Sequence, residues 1–63
     1  MTIVEGTTYD IFAEDGAGWI IDDRRGLADI LAVKKYAELF KKAYDPYAIY
    51  VTERKTYLFD KEN

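Results

Sequence analysis

The side chains that could carry out chemistry in this chain are restricted to Asp, Glu, Lys, Arg, Thr and Tyr. The sequence has no histidine, cysteine, serine or glutamine, and its one asparagine is the last residue, Asn63. The missing types supply most of the nucleophiles, metal ligands and proton carriers that enzymes use near neutral pH. The composition therefore predicts that the protein is not an enzyme and that it uses no metal or other cofactor.

Four adjacent charged residues at positions 22–25 suggest two kinds of polar site. Asp22 and Asp23 resemble paired catalytic carboxylates, but neighbours on a strand point to opposite faces and cannot easily share a site. Arg24 and Arg25 follow them and could hold an anion where a helix begins. Neutralisation of Asp22, Asp23 and Asp29 by the two arginines explains the same pattern more simply.

The charge of the chain argues against a nucleic-acid partner. The net charge is −3, with −5 in residues 1–31 and +2 in residues 32–63. Binding to nucleic acid relies on the neutralisation of phosphates by basic side chains. The one basic cluster lies on the predicted helix and is interrupted by Glu38, as is usual for a solvated face with ion pairs four residues apart.

No segment of the sequence predicts attachment to a membrane. A membrane-spanning helix needs about 18 or more consecutive apolar residues, and no stretch approaches that length. The first residues lack the basic start and long apolar run of a secretory leader. We therefore expect a cytoplasmic protein with no membrane partner.

Apolar spacing and turn residues predict two β-hairpins with a helix between them. Residues 7–14 and 19–23 alternate as strands about a turn at residues 15–18, where Gly16 and Gly18 tolerate positive φ. Residues 47–52 and 56–60 form the second predicted hairpin, about the polar turn Glu53-Arg54-Lys55.

The helix is predicted from Ala28 or Asp29 to Tyr44. Asp29 is a candidate N-cap, and Pro46 ends the helix because the residue before a proline avoids the helical conformation. One stripe of the helix is apolar at the i, i+3, i+4 spacing of a buried face. We expect Phe40 on this stripe, together with Trp19 from the sheet, to anchor the core.

These elements predict an α+β fold of order ββαββ, with one helix packed on a four-stranded sheet in a single domain over residues 1–63. This order of elements resembles that of small β-grasp domains, such as the immunoglobulin-binding modules of bacterial surface proteins. The resemblance is in the order of elements alone and implies a two-layer fold, with no function carried over from it.

A single helix covers one face of a sheet, and both predicted hairpins carry apolar residues on two faces. Three-residue loops place several apolar side chains and acids on the uncovered face, while even-numbered loops exchange the faces. An exposed apolar patch of this kind is typical of an interaction site. The candidate protein-binding residues are Asp10, Phe12, Ile20, Asp22, Tyr50 and Leu58.

Leu27 and Leu31 fit two interpretations. Both fall on the charged arc of the helix if the helix is extended back to residue 27. They either cover the end of the core or lie exposed and mark a contact with a partner.

The function predicted from these features is a non-enzymatic, acidic protein-binding module. In size, acidity and lack of catalytic residues the chain resembles the small inhibitors that phages make against host enzymes. The resemblance implies that the partner is another protein. The alternative is a structural homodimer, in which a second copy covers the uncovered face of the sheet, or a designed scaffold with no natural partner.

Overall fold

A computed structural model describes the backbone of residues 2–59 and the side chains of residues 6–57. Within these residues the chain forms one antiparallel sheet of three strands and one helix, in the order β1 (Thr2–Glu14), β2 (Ile20–Leu27), α1 (Ile30–Tyr44) and β3 (Ala48–Phe59). The strand order in the sheet is β2-β1-β3, so β1 lies in the centre. The architecture is α+β, as expected, but the prediction of a four-stranded ββαββ sheet is wrong.

The error lies in the predicted second hairpin, which is one strand of twelve residues. The segment Glu53-Arg54-Lys55 contains none of the Gly, Asn, Asp or Pro residues that favour a tight turn. These three residues lie opposite Tyr9, Thr8 and Thr7 of β1 and continue the ladder without interruption. Strand β1 is also longer than predicted, since it begins at Thr2, and its full length provides the partner that keeps β3 extended.

The first hairpin was predicted correctly in type and position. Asp15 shapes its turn, because Oδ1 accepts hydrogen bonds from the backbone N–H groups of Ala17 and Trp19 at 2.8 and 3.0 Å. Gly18 adopts a φ of 90°, a conformation that favours glycine. Strand β2 continues past Asp23 to Leu27, so Arg24 and Arg25 lie within the strand and not, as the predicted bounds of 19–23 imply, after it.

Both ends of the helix have the residues and contacts that the sequence predicts. The side chain of Asp29 caps its first turn, with Oδ1 accepting a hydrogen bond from the backbone N–H of Ala32 at 2.9 Å. Lys41 and Lys42 lie in the last turn, where cations complement the helix dipole. Asp45 follows in the left-handed region with a φ of 47°.

The core is small and lies between the helix and strand β1. Four described side chains are fully buried: Ile11, Ala13, Val33 and Phe40. Residues packed around them from the sheet and the helix are Tyr9, Leu27, Tyr36, Ala37 and Ile49. Phe40 is 2% exposed, as predicted, but Trp19 is 74% exposed, and its assignment to the core is wrong. Trp19 lies where the turn meets β2, one residue before the strand begins.

Strands β1 and β3 extend past the rest of the molecule as a two-stranded arm, formed by residues 2–8 and 54–59. The pairing of β1 with β2 begins only at Tyr9, whereas its pairing with β3 begins at Thr2. The radius of gyration is 15.2 Å, against about 11 Å for a compact domain of this length. A two-stranded ribbon is marginally stable on its own, so the arm is the part of the fold with the least internal support.

Phe40→Ala should leave the domain largely unfolded at 37 °C. Removal of a buried phenylalanine typically costs about 3–5 kcal/mol, and a domain of this size has about 3–9 kcal/mol of stability in total. Trp19→Ala is the matched control, since it removes a larger aromatic side chain from an exposed position. Thermal melts of the two variants should differ sharply; equal destabilisation would contradict the assignment of the core.

Candidate functional site: the outer sheet face

The face of the sheet turned away from the helix carries a shallow hollow of about 230 Å³. Ile11 and Ala13 point to the helix, so Asp10 and Phe12 beside them point to this opposite face. The hollow is lined by Ile11 and by seven residues of this face, and Tyr50 lies beside it, opposite Phe12. We call these seven residues together with Tyr50 the outer face: Asp10, Phe12, Ile20, Asp23, Arg25, Tyr50, Thr52 and Arg54. All three strands contribute to it.

A stacked aromatic pair forms the centre of the outer face. Phe12 in β1 lies directly opposite Tyr50 in β3, and their ring centroids are 5.2 Å apart with an interplanar angle of 29°. Tyr50 is 46% exposed and Ile20, beside the hollow, is exposed as well. The stack therefore offers an apolar surface to solvent while each ring supports the other.

Asp10 connects the three strands across the outer face. One carboxylate oxygen, Oδ1, accepts a hydrogen bond from the backbone N–H of Gly26 in β2 at 3.0 Å. The other, Oδ2, lies 3.0 Å from Nε of Arg54 in β3. Asp10 thus ties both edge strands to β1, which gives this predicted binding residue a structural role as well.

The rim of the outer face carries both signs of charge. Arg25 Nε lies 3.2 Å from Oδ2 of Asp23, and Arg54 is paired with Asp10. The sequence predicted acids beside the apolar residues of this face, because it placed Arg54 in a turn and Arg25 after the end of a strand. The continuous strands bring both arginines next to the acids instead.

Asp22 lies on the helix side of the sheet, and its assignment to the outer face is wrong. Glu14 is opposite Ile20, but Ala13 is opposite Asp22, so Ile21 is an extra residue that forms a bulge. A shift of one residue exchanges the faces of every following side chain. Asp23 therefore takes the outer position that was predicted for Asp22.

The other candidate residues divide as follows. Asp10, Phe12, Ile20 and Tyr50 lie together on the outer face. The backbone of Leu58 is opposite that of Ile3, and its side chain lies outside the described residues. The sequence missed Asp23, Arg25, Thr52 and Arg54; the strand pattern of β3, read without the assumed turn, would have identified Thr52 and Arg54.

On the helix side, Asp22 joins the sheet to the end of the helix. Its Oδ2 accepts a hydrogen bond from the hydroxyl of Tyr44 at 2.8 Å, and Arg24 Nη1 donates to its Oδ1 at 2.9 Å. The Tyr44 hydrogen bond, with further contributions from the Asp23 backbone N–H and Arg24, lowers the pKa of Asp22. The same hydrogen bond raises the pKa of Tyr44. Neutralisation of acids by Arg24 and Arg25, expected from the sequence, is confirmed for Asp22 and Asp23.

Leu27 and Leu31 separate in the structure. Leu27 ends β2 and packs against the core, whereas Leu31 is 72% exposed in the first turn of the helix. The lysines of the helix lie on its exposed side, where Lys41 Nζ is 4.0 Å from Oε2 of Glu38.

Among the residues that the structure describes, no three acidic, histidine or cysteine side chains form a group that could hold a metal ion. No helix within those residues is long and apolar enough to cross a membrane. No known protein family, curated sequence or solved structure matches this chain.

Tyr44→Phe should raise the pKa of Asp22 toward its ordinary value of 3.8, because it removes the largest cause of the shift. The pKa of Asp22 is lower in the folded state, so its contribution to stability is present above the unfolded pKa and is lost as the pH falls through the folded pKa. The variant should therefore be less sensitive to acid between those two values. Carboxyl-carbon NMR titration of Asp22 measures the shift, with the exposed Tyr47→Phe as control; the same titration in both variants would contradict the hydrogen bond.

Proposed function

We propose that the protein is a non-enzymatic protein-binding module that acts through the outer face. The observation that carries this proposal is the Phe12–Tyr50 stack, in which Tyr50 is exposed and Phe12 half-buried, beside a hollow on a face that no described element covers. Aromatic residues and arginine are enriched in the centres of protein interfaces. An exposed aromatic centre with a charged rim is the arrangement that such interfaces share.

The paired charges of the rim bear on the kind of partner. Asp10 and Asp23 each already have an arginine within hydrogen-bond distance, so the rim offers donors and acceptors of both signs at little net charge. This arrangement fits the mixed polar surface of a folded protein better than the uniform charge of a polyanion. We propose a protein partner, with no role for nucleic acid or membrane.

A narrower form of the same proposal is that the protein inhibits an enzyme by binding to its surface. A small acidic chain without catalytic residues acts by occupying a surface of its target, as phage inhibitors of host enzymes do. Phe12 and Tyr50 would then cover apolar surface on the target, and Arg25 would exchange its internal partner Asp23 for a group on the target. The cytoplasmic location stays a prediction from the sequence.

Tyr50→Lys should abolish partner binding while the domain stays folded. Loss of the stack costs about 0.5–1.5 kcal/mol beyond the buried area, less than the stability expected for the domain. A lysine at the centre of the interface would have to lose its hydration on binding. The measurement is capture of host proteins on immobilised wild type and variant, followed by quantitative mass spectrometry, with a thermal melt for each chain.

Leu31→Lys is the matched control, because it places the same charge at an exposed apolar position on the helix. A protein captured by wild type and by Leu31→Lys but not by Tyr50→Lys supports the outer face. Equal capture by all three chains would place the binding site elsewhere, and loss of capture only with Leu31→Lys would move it to the helix.

A further inference from the structure

The free edge of strand β3 is a second surface, separate from the outer face. Residues Ala48–Phe59 pair with β1 along one side, and within the described residues no strand pairs with the other side. The unpaired N–H and C=O groups of an edge strand are a template for another strand. At twelve residues this edge is longer than a typical whole strand of about five or six.

The exposed area of the chain is larger than a monomer of its mass requires. The surface measures 4934 Å², against about 4,200 Å² for a folded monomer of 7.3 kDa. The excess, roughly 700 Å², accompanies the elongated shape of the chain, whose principal extents are 51, 24 and 11 Å. The free edge of β3 lies along part of this extended surface.

We propose that two copies of this chain pair through β3, edge to edge and antiparallel, to form one continuous six-stranded sheet. A two-fold axis perpendicular to the sheet requires that opposed residues point to the same face. Glu53 and Lys55 both meet this condition, since they lie on the helix side with Val51, which is opposite the buried Ile11.

The charges at the middle of β3 select one register. With the axis at Arg54, Glu53 of each copy lies opposite Lys55 of the other, which makes two symmetric ion pairs. The neighbouring register, with the axis at Glu53, would place two glutamates opposite each other and is unfavourable. None of the ion pairs among the described residues uses Glu53 or Lys55.

The same register brings apolar and neutral residues together. Val51 falls opposite Tyr57, and Thr52 opposite Thr56, each twice by symmetry. Val51 and Tyr57 are 48% and 53% exposed in the single chain, and pairs of aromatic and β-branched residues stabilise antiparallel strands. The contact would also support the two-stranded arm, to which Tyr57 belongs.

Arg54 is the residue that lies on the axis, so the two copies would bring two arginines together. Each is already within 3.0 Å of Asp10 of its own chain, on the outer face. The four side chains would form a cluster with no net charge. The positive charge of Arg54 at the centre of this edge is therefore already balanced by Asp10 when the second copy binds.

Charge reversal tests this register directly. Each single reversal makes both pairs repulsive, and a mixture of the two variants makes them attractive again. Glu53→Lys alone places lysine opposite Lys55, and Lys55→Glu alone places glutamate opposite Glu53. In a 1:1 mixture of the two variants, a heterodimer has attractive pairs at both positions. The double variant Glu53→Lys/Lys55→Glu also regains attraction with itself.

Sedimentation equilibrium should show a dimer for wild type, and each single reversal should weaken dimerisation roughly tenfold or more. The mixture and the double variant should recover it. Lys35→Glu and Glu38→Lys are controls with the same changes of charge on exposed helix positions, and they should leave dimerisation unchanged. Circular dichroism melts check that every variant is folded.

Three results would overturn the proposal. A monomeric wild type would leave the edge to an extended segment of a different protein. Dimers that persist in both single variants would place the contact elsewhere, such as the outer face. Folded single variants that stay monomeric when mixed would show that Glu53 and Lys55 do not meet.

Discussion

The fold depends on a difference in length between the helix and the strand on which it packs. A helix of 15 residues spans about 22 Å, whereas the 13 residues of β1 extend over about 44 Å. One helix therefore covers about half of the central strand. The small core and the two-stranded arm follow from this difference, because no other described element covers the rest of this face of the sheet.

Two bulges in β2 adapt the sheet to this arrangement. The bulge at Ile21 turns Asp22 toward Tyr44 at the end of the helix and places Asp23 on the opposite side. A second irregularity lies beside Gly26, whose φ of 70° favours glycine and whose N–H donates to Asp10. The first bulge thus places Asp22 where it accepts a hydrogen bond from Tyr44 at the end of the helix. The second places the N–H of Gly26 where it donates to Asp10 on the outer face.

Strand β3 connects the two proposed contact surfaces. Its side chains Tyr50, Thr52 and Arg54 belong to the outer face, while its free backbone edge is available to a second strand. A dimer formed at that edge would place two outer faces side by side on one continuous sheet. Self-association and binding of a protein target are therefore compatible, and two linked sites can bind more tightly than one.

The sequence by itself determined the features that depend on neighbours along the chain. The cap at Asp29, the buried helix position Phe40 and the turn at Asp15 were predicted correctly, because propensity, spacing and local hydrogen bonds decide them. The aromatic members of the outer face were also predicted, since the alternation of a strand places residues on one side or the other.

The tertiary structure decided the features that depend on distant partners. Segment 53–55 stays extended because β1 lies beside it, and no local signal at Glu53 or Lys55 records that pairing. Asp22 lies on the helix side of the sheet because of a bulge of one residue, which the periodicity of the sequence does not reveal. Trp19 is 74% exposed beside the turn, whereas its apolar character alone predicts that it should be covered. Strand pairing and strand register, which depend on contacts between distant parts of the chain, decide these features.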